Sequence, residues 1–589
     1  MRVEGPRNRW AASIIQACTE SRPQRIQRGR AFRNIFLTGS EDGVPQTYLR
    51  TQDFCRDVLA FLYSPSDLRY RVDYFGQVGP VDRAKAAAAA AFLHQHIIDS
   101  DSDDAMSDTV LWSLIKGKTI HQTLWSRKGI ESHLIQPENF GVYNESISDL
   151  ERQEAFTHTT FLTKSRFRQL ISGLPIARQN KLMKAATESI VRGREGEDGN
   201  SVLKQIVVGG LYPYTTTGQT PVSSGGQVQY LFGPEPQMQS SMIDEMIPYD
   251  ELWFWNDDQD DWATISMIGE EIVFGEDELF NAFSQQAGSM SDKDNPLHGK
   301  HGFTEFCAMP LDGYFWGISY IFLVALLQKS INNRIDGINT LLRKQEDPPR
   351  AFFGSTTVNQ NAYAKLNKPG GYFSDSSPNA KIEDLAKPIP GDLWTSFHEW
   401  NNMFDVIGGF PPVAQGMGEG SVRSAGQTET LLRTGAARHK DASLKIERSV
   451  ERVGGTVYAL LQAKTTDVLT AWVMPGTQSP LIDEHPDLTL EPPAKGMLPV
   501  SFRMGHMNER AKVTVDSHSA SPAFRQEARE LLFALNRIGA ASPRQVVEGT
   551  HPAQEDALIE GIEQRDIAQQ ELIKAHPELL AKGGHGKPH

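Results

Sequence analysis

Residues 394–407 read Trp-Thr-Ser-Phe-His-Glu-Trp-Asn-Asn-Met-Phe-Asp-Val-Ile, and 408–412 read Gly-Gly-Phe-Pro-Pro. Residues 414–426 follow as Ala-Gln-Gly-Met-Gly-Glu-Gly-Ser-Val-Arg-Ser-Ala-Gly, before a proline-free run to Leu461. The last run carries Ile446, Val450, Val453, Val457 and Leu460 at steps of four and three, the stripe of a helix with one buried face. The middle piece has four glycines among small and polar residues. It can bury little, so the sequence predicts a mobile loop from Ala414 to Gly426 held between two helices.

At 589 residues the chain is too long for one ordinary core. A net charge of -14 argues against a surface that clings everywhere to nucleic acid. Cys18, Cys55 and Cys307 lie too far apart in sequence for a paired zinc-ligand spacing or a disulfide framework, which suits reduced thiols in an intracellular protein. The longest apolar run, Ile318–Leu327, is about half of the ~20 residues a bilayer needs, and no secretory signal is apparent.

Residues 1–35 carry eight arginines against Glu4 and Glu20. They read as a basic arm: a solvated helix-loop face, or a reach toward nucleic acid or an acidic partner. Helices are expected over Thr51–Tyr63, Ala84–Ile98, Tyr314–Lys344 and Pro522–Ile538. Asp99–Asp108 reads as an acidic break. Strand character marks Thr119–Trp125, Ser132–Ile135, Phe140–Tyr143, Ala155–Leu162, Asp250–Phe274, Val500–Phe502 and Lys512–Val515. Thr163 is placed to cap a helix, and Asn256–Asp261 to turn a hairpin. These elements define an α+β, mostly helical fold.

Chemical motifs are few. Gly117-Lys118-Thr119 lacks the glycine a phosphate loop requires at position 112, which is Trp112. No Gly-x-Ser-x-Gly elbow occurs. His94 and His96 point to different sides of their helix, and His298 and His301 have no obvious carboxylate or cysteine partner, so no metal site or cofactor is expected. The aromatics around Trp253 and at Phe315-Trp316 suit a core or a subunit contact. This balance favours a non-enzymatic assembly protein.

The order of elements resembles the portal (connector) proteins of tailed bacteriophages. Ile135–Tyr143 followed by Phe156–Phe167 is similar to that family's strand, turn, strand and helix-cap pattern. Gly313–Ser319 leading through Gln328 and Asn332 to Asp347-Pro348-Pro349 resembles its stem helix. Leu366–Gly371 resembles the region after its clip, and Phe404–Pro412 with the glycine-rich segment resembles its tunnel loop. The basic arm (1–35) lies outside the resemblance, which implies a mixed α/β wing (36–312), a stem helix (313–346), a clip and return (347–380) and a wing return with the tunnel loop (381–425; loop 414–426). A long helix (427–465), a strand-containing wing/crown junction (466–520), a helical crown (521–582) and a disordered tail (583–589) complete it.

It further implies a ring, usually of twelve subunits, at one capsid vertex of the virion, assembled in the host cytoplasm. The implied partners are double-stranded DNA contacted without sequence preference, the terminase large subunit, head-tail adaptor or neck proteins, the major capsid protein and a scaffold, with no membrane. The tunnel loop would place Gly416, Met417, Gly418, Glu419, Gly420, Ser421, Val422, Arg423 and Ser424 toward DNA. Arg423, Arg433, Arg438 and Lys440 are the candidate backbone contacts; intersubunit ion pairs on a packed helix are the competing use of such cations. The rival readings are another virion structural protein, and a nucleic-acid-processing enzyme with an unrecognised site.

Overall fold

The computed structural model describes residues 6–44, 46, 48–64, 68–74, 80–194, 246–288, 295–346, 350–353, 381–384, 391–408, 425–473, 498–507, 511–515, 532–538, 542–543, 546–547, 562 and 565. Among the described residues the principal helices are, in chain order, α1 Arg7–Thr19, α2 Arg22–Thr38, α3 Arg50–Leu62, α4 Pro80–Asp99, α5 Ser102–Lys116, α6 Lys164–Ile171, α7 Ile176–Arg194, α8 Tyr320–Glu346, α9 Gly391–Gly408 and α10 Ala425–Lys464, and residues 532–537 are helical as well. The strands are β1 Tyr70–Tyr74, β2 Thr119–Ser126, β3 Gly129–Ile135, β4 Phe140–Val142, β5 Ala155–Thr163, β6 Met246–Asn256 and β7 Asp261–Ile268. They continue as β8 Glu271–Phe274, β9 Phe303–Phe306, β10 Arg350–Phe353, β11 Lys381–Asp384, β12 Val468–Val473, β13 Leu498–Arg503 and β14 Ala511–Val515. The fold is therefore mixed α and β.

An antiparallel meander, β4-β5-β6-β7-β8, forms the largest sheet, and β3-β2-β9 form a second. The hairpin expected at the acidic turn joins β6 to β7, with Asn256 opposite Asp261. Thr163 caps α6 by accepting from the Arg166 N–H at 3.3 Å. Three two-stranded pairs tie distant segments together: β1 with β14, β12 with β13 and β10 with β11.

The largest core joins α3, α4, α5, α8 and α10. Every residue of the predicted α10 stripe (Ile446, Val450, Val453, Val457, Leu460) is buried, as are Phe54, Val58 and Leu62 of α3. Gly454 permits the closest approach on α10, since a Cβ there would stand 2.5 Å from the Tyr70 ring of β1. A second core, around Phe156, Trp253, Trp262, Phe303 and Phe315, fills the space between the two sheets and the end of α10. The aromatics around Trp253 and at Phe315-Trp316 are thus core residues.

Four expectations change. Asp99–Asp108 is not a break: only Ser100 and Asp101 separate α4 from α5. Asp101 makes the corner in left-handed backbone (φ 51°), and Asp103 and Asp104 favour the helix N-terminus by their charge. The helix expected from Tyr314 starts at Tyr320, because Gly313 and Gly317 take φ of 72° and 62° and turn the chain. Ala425 and Gly426, assigned to the loop, begin α10. The N-terminal arginines do not line a solvated face throughout, since Arg22, Arg25 and Arg33 are buried. The tail (583–589) lies outside the described residues, as do most of the expected clip and crown.

Candidate functional site

The predicted loop residues Gly416, Met417, Gly418, Glu419, Gly420, Ser421, Val422, Arg423 and Ser424 lie outside the described residues. The helix that follows them does not. Arg433 and Arg438 belong to the first half of α10, their side chains outside the description, and Lys440 is exposed. Further along, Lys445 pairs with Asp441 one turn away, and Arg448 is exposed.

Arg452 has a different role. Its guanidinium lies 3.4 Å from Asp149 and 3.5 Å from Glu305. Glu305, on β9, also accepts from the Lys118 ammonium at 2.6 Å and the Leu150 N–H at 3.3 Å. Lys118 is 1% exposed, its head over the Phe315 ring at 4.0 Å. One carboxylate thus joins α10, the start of β2 and the turn before β5. Burial pushes the Glu305 pKa up while Lys118 pulls it down. The lysine of the Gly117-Lys118-Thr119 run is therefore a structural cation that holds α10 against the sheets.

The basic N-terminal segment builds a second centre. Arg25, on α2, donates to Glu145 at 2.6 Å and to the Phe140 carbonyl at 2.9 Å, and its guanidinium stacks 4.3 Å from the Trp316 ring centre. Trp316 donates its indole N–H to the same Glu145 oxygen at 2.8 Å. Arg22 donates to Thr159 at 2.6 Å, which in turn bonds Asp250. Burial lowers the pKa of Arg25 to about 10, opposed by Glu145. These bonds fix α2 to the meander sheet and to the turn before α8.

Beside this centre opens a cavity of about 340 Å³, walled by α2, α5, the β3–β4 turn and the segment entering α8. Its lining is largely aromatic and aliphatic (Phe32, Leu311, Tyr314, Trp316, Ile318, Phe322), with Arg28 and the Lys116–Glu138 ion pair (2.6 Å) among the polar members. Phe322 stands 65% exposed and Leu326, one turn further along α8, 77%. Met403 and Ile407 of α9 are exposed as well. Such a surface is more apolar than a helix facing water requires.

The histidines gain partners that sequence spacing could not suggest. His298 lies 3.0 Å from Asp261, and buried His301 lies 3.6 Å from Glu151. The His301 Nδ1 accepts from the Phe303 N–H at 3.1 Å. Among the described residues no group of three or more His, Cys, Asp and Glu is placed to hold a metal ion, and no helix is long and apolar enough to cross a membrane.

The Arg25–Glu145 and Lys118–Glu305–Arg452 centres were not singled out in the sequence. For Arg25 a signal exists: it shares the face of α2 that holds Ile26, Gly29 and Phe36, so the phase of the helix places it inside. For Glu305 there is none, since its partners come from three distant segments. No family model matches the chain, and no curated protein matches it.

Proposed function

We propose that the chain is a portal subunit of a tailed bacteriophage: one member of a ring at a capsid vertex, through which the genome is packaged and ejected. Terminase docks on the ring during packaging, and head-tail adaptor proteins replace it afterwards. The support is the order of elements in the sequence together with the setting of α10. That helix is buried along its C-terminal half and clamped through Arg452, while the glycine-rich segment joins its N-terminal end. A rigid helix that carries a segment able to bury little is what a conduit needs, because each neutralised phosphate adds affinity and slows passage.

The exposed apolar residues of α8 and α9 favour assembly with further copies. They favour another virion structural protein equally, and imaging separates the two: a portal gives rings with a central hole, whereas a shell or tail component gives sheets or tubes. Deleting Gly416–Ser424 is expected to leave ring assembly intact and to impair DNA packaging or retention. Normal packaging by the deletion variant would refute the tunnel-loop assignment.

A further inference from the structure

We propose that the cavity beside α2 binds a small aromatic carboxylate, its ring against Phe32, Trp316 and Phe322 and its carboxylate on Arg28 and the Tyr314 hydroxyl. Every wall of the site belongs to one chain. The proposal therefore stands apart from the ring reading above.

The walls come from segments far apart in sequence, and internal bonds hold them in place. Arg25, Arg28, Gly29 and Phe32 follow at steps of three, one and three residues, so they share one face of α2. Trp316 is fixed by its indole bond to Glu145. Ser319, in the segment entering α8, donates to the Leu114 carbonyl of α5 at 3.2 Å. The Phe32 and Phe322 rings meet edge to face with centres 6.5 Å apart, joining α2 to α8. A pocket held in this way needs little ordering when a ligand enters, which lowers the entropic cost of binding.

Size and lining define the body of the ligand. At about 340 Å³ the cavity is at the small end of ligand pockets, which span about 300–1,000 Å³. That suits a ligand of one or two rings. Walls built from aromatic side chains favour a flat ring, which they can meet in offset and edge contacts.

Charge defines the head group. The lining carries Arg25, Arg28 and Lys116 against Glu138. Arg25 pairs with Glu145 and Lys116 with Glu138, each at 2.6 Å, and the second Glu138 oxygen is closed to solvent. Arg28 is left over. It is exposed, donates to the uncharged Tyr314 hydroxyl at 2.7 Å, and has no carboxylate partner among the described residues. The Tyr314 oxygen accepts in that bond, so its own proton remains to be donated. A guanidinium fork and an O–H therefore stand together beside an apolar chamber, and a carboxylate is the group that takes both. A cationic ligand would meet the Arg28 charge unopposed.

Calorimetric titration of the full-length chain with naphthoate, with naphthalenemethanol as its uncharged counterpart, and with octanoate tests the proposal. Naphthoate is expected to bind at least about tenfold more tightly than the alcohol. Arg28→Gln should abolish that difference while leaving the alcohol's affinity unchanged, and Tyr314→Phe should weaken naphthoate alone, several-fold. Leu311→Trp, at an exposed position of the lining, fills the cavity and should weaken both ring ligands; melting curves of the three variants matching the wild type exclude a folding defect as the cause. Equal affinity for naphthoate and the alcohol, or naphthoate binding that Arg28→Gln and Leu311→Trp leave intact, would overturn the site. Octanoate binding more tightly than naphthoate would overturn the aromatic assignment, and no binding of any of the three would overturn the proposal whole.

Discussion

Two stretches of this chain are comparably basic in sequence and opposite in structure. In α2, Arg22, Arg25 and Arg33 lie on the buried face and are held by the protein's own groups, such as Glu145 and Thr159. In α10, Arg448 lies across the helix from Ile446, Val450 and Val453 and faces water. A count of charges does not separate these cases. Their phase relative to the apolar stripe does, because a buried cation must be paired whereas an exposed one need not be.

Removing a buried cation is the strongest way to probe the difference. Arg25→Ala leaves Glu145 without its guanidinium and the Trp316 ring without its stacking partner, so a loss of about 3–5 kcal/mol in urea unfolding is expected. A loss below about 1 kcal/mol would place Arg25 with the exposed class.

His121 shows another way to bury a basic group, by keeping it neutral. It is fully buried, and burial first, with His133 adding, lowers its pKa from 6.5 to about 3. The unfolded chain takes up a proton on this group below pH 6.5 while the folded chain does not. The contribution is therefore complete above pH 6.5 and is lost at about 1.4 kcal/mol per unit as the pH falls toward 3. Unfolding midpoints at pH 7, 5 and 4 should show a shallower decline for His121→Gln than for the wild type; equal slopes would exclude the effect.

Gly29 tests how tightly α2 is seated. A Cβ there would stand 2.5 Å from Glu138 Oε1, the oxygen that accepts from Lys116, and Gly29→Ala should cost about 1–3 kcal/mol. Arg448→Ala, at the other end of the comparison, should change stability by less than about 0.5 kcal/mol. A larger loss would reveal an intrachain partner for this cation.

Much of the architecture was legible where one periodicity held over several turns. The α10 stripe, the Phe54–Leu62 face of α3 and the β6–β7 hairpin are local patterns, and each was read from a single window. Departures came where a local signal had two uses. Aspartates at 101–104 suit a loop, but they also suit the first turn of a helix. The apolar residues from Tyr314 to Ser319 suit a helix, but the glycines at 313 and 317 take backbone angles that no helix has. Of the candidate site, the helix α10 was legible in the sequence and its contacts were not; the loop before it lies outside the described residues. Glu305, Glu151 and Asp261 meet their basic partners across long sequence separations that no spacing rule covers.

The pairing of β1 with β14 bears on how the protein is made. Tyr70 faces Val515 in that ribbon, and Tyr70 packs in the same core as the α10 stripe. At about 5–20 residues per second of synthesis, β1 leaves the ribosome roughly 20–90 s before its partner strand exists. Throughout that interval the backbone N–H and C=O groups of a strand edge are open to pairing with other chains. Production of the protein should therefore depend on translation speed and chaperone supply, and C-terminal truncations that remove β14 should aggregate even though most of the body is already synthesised.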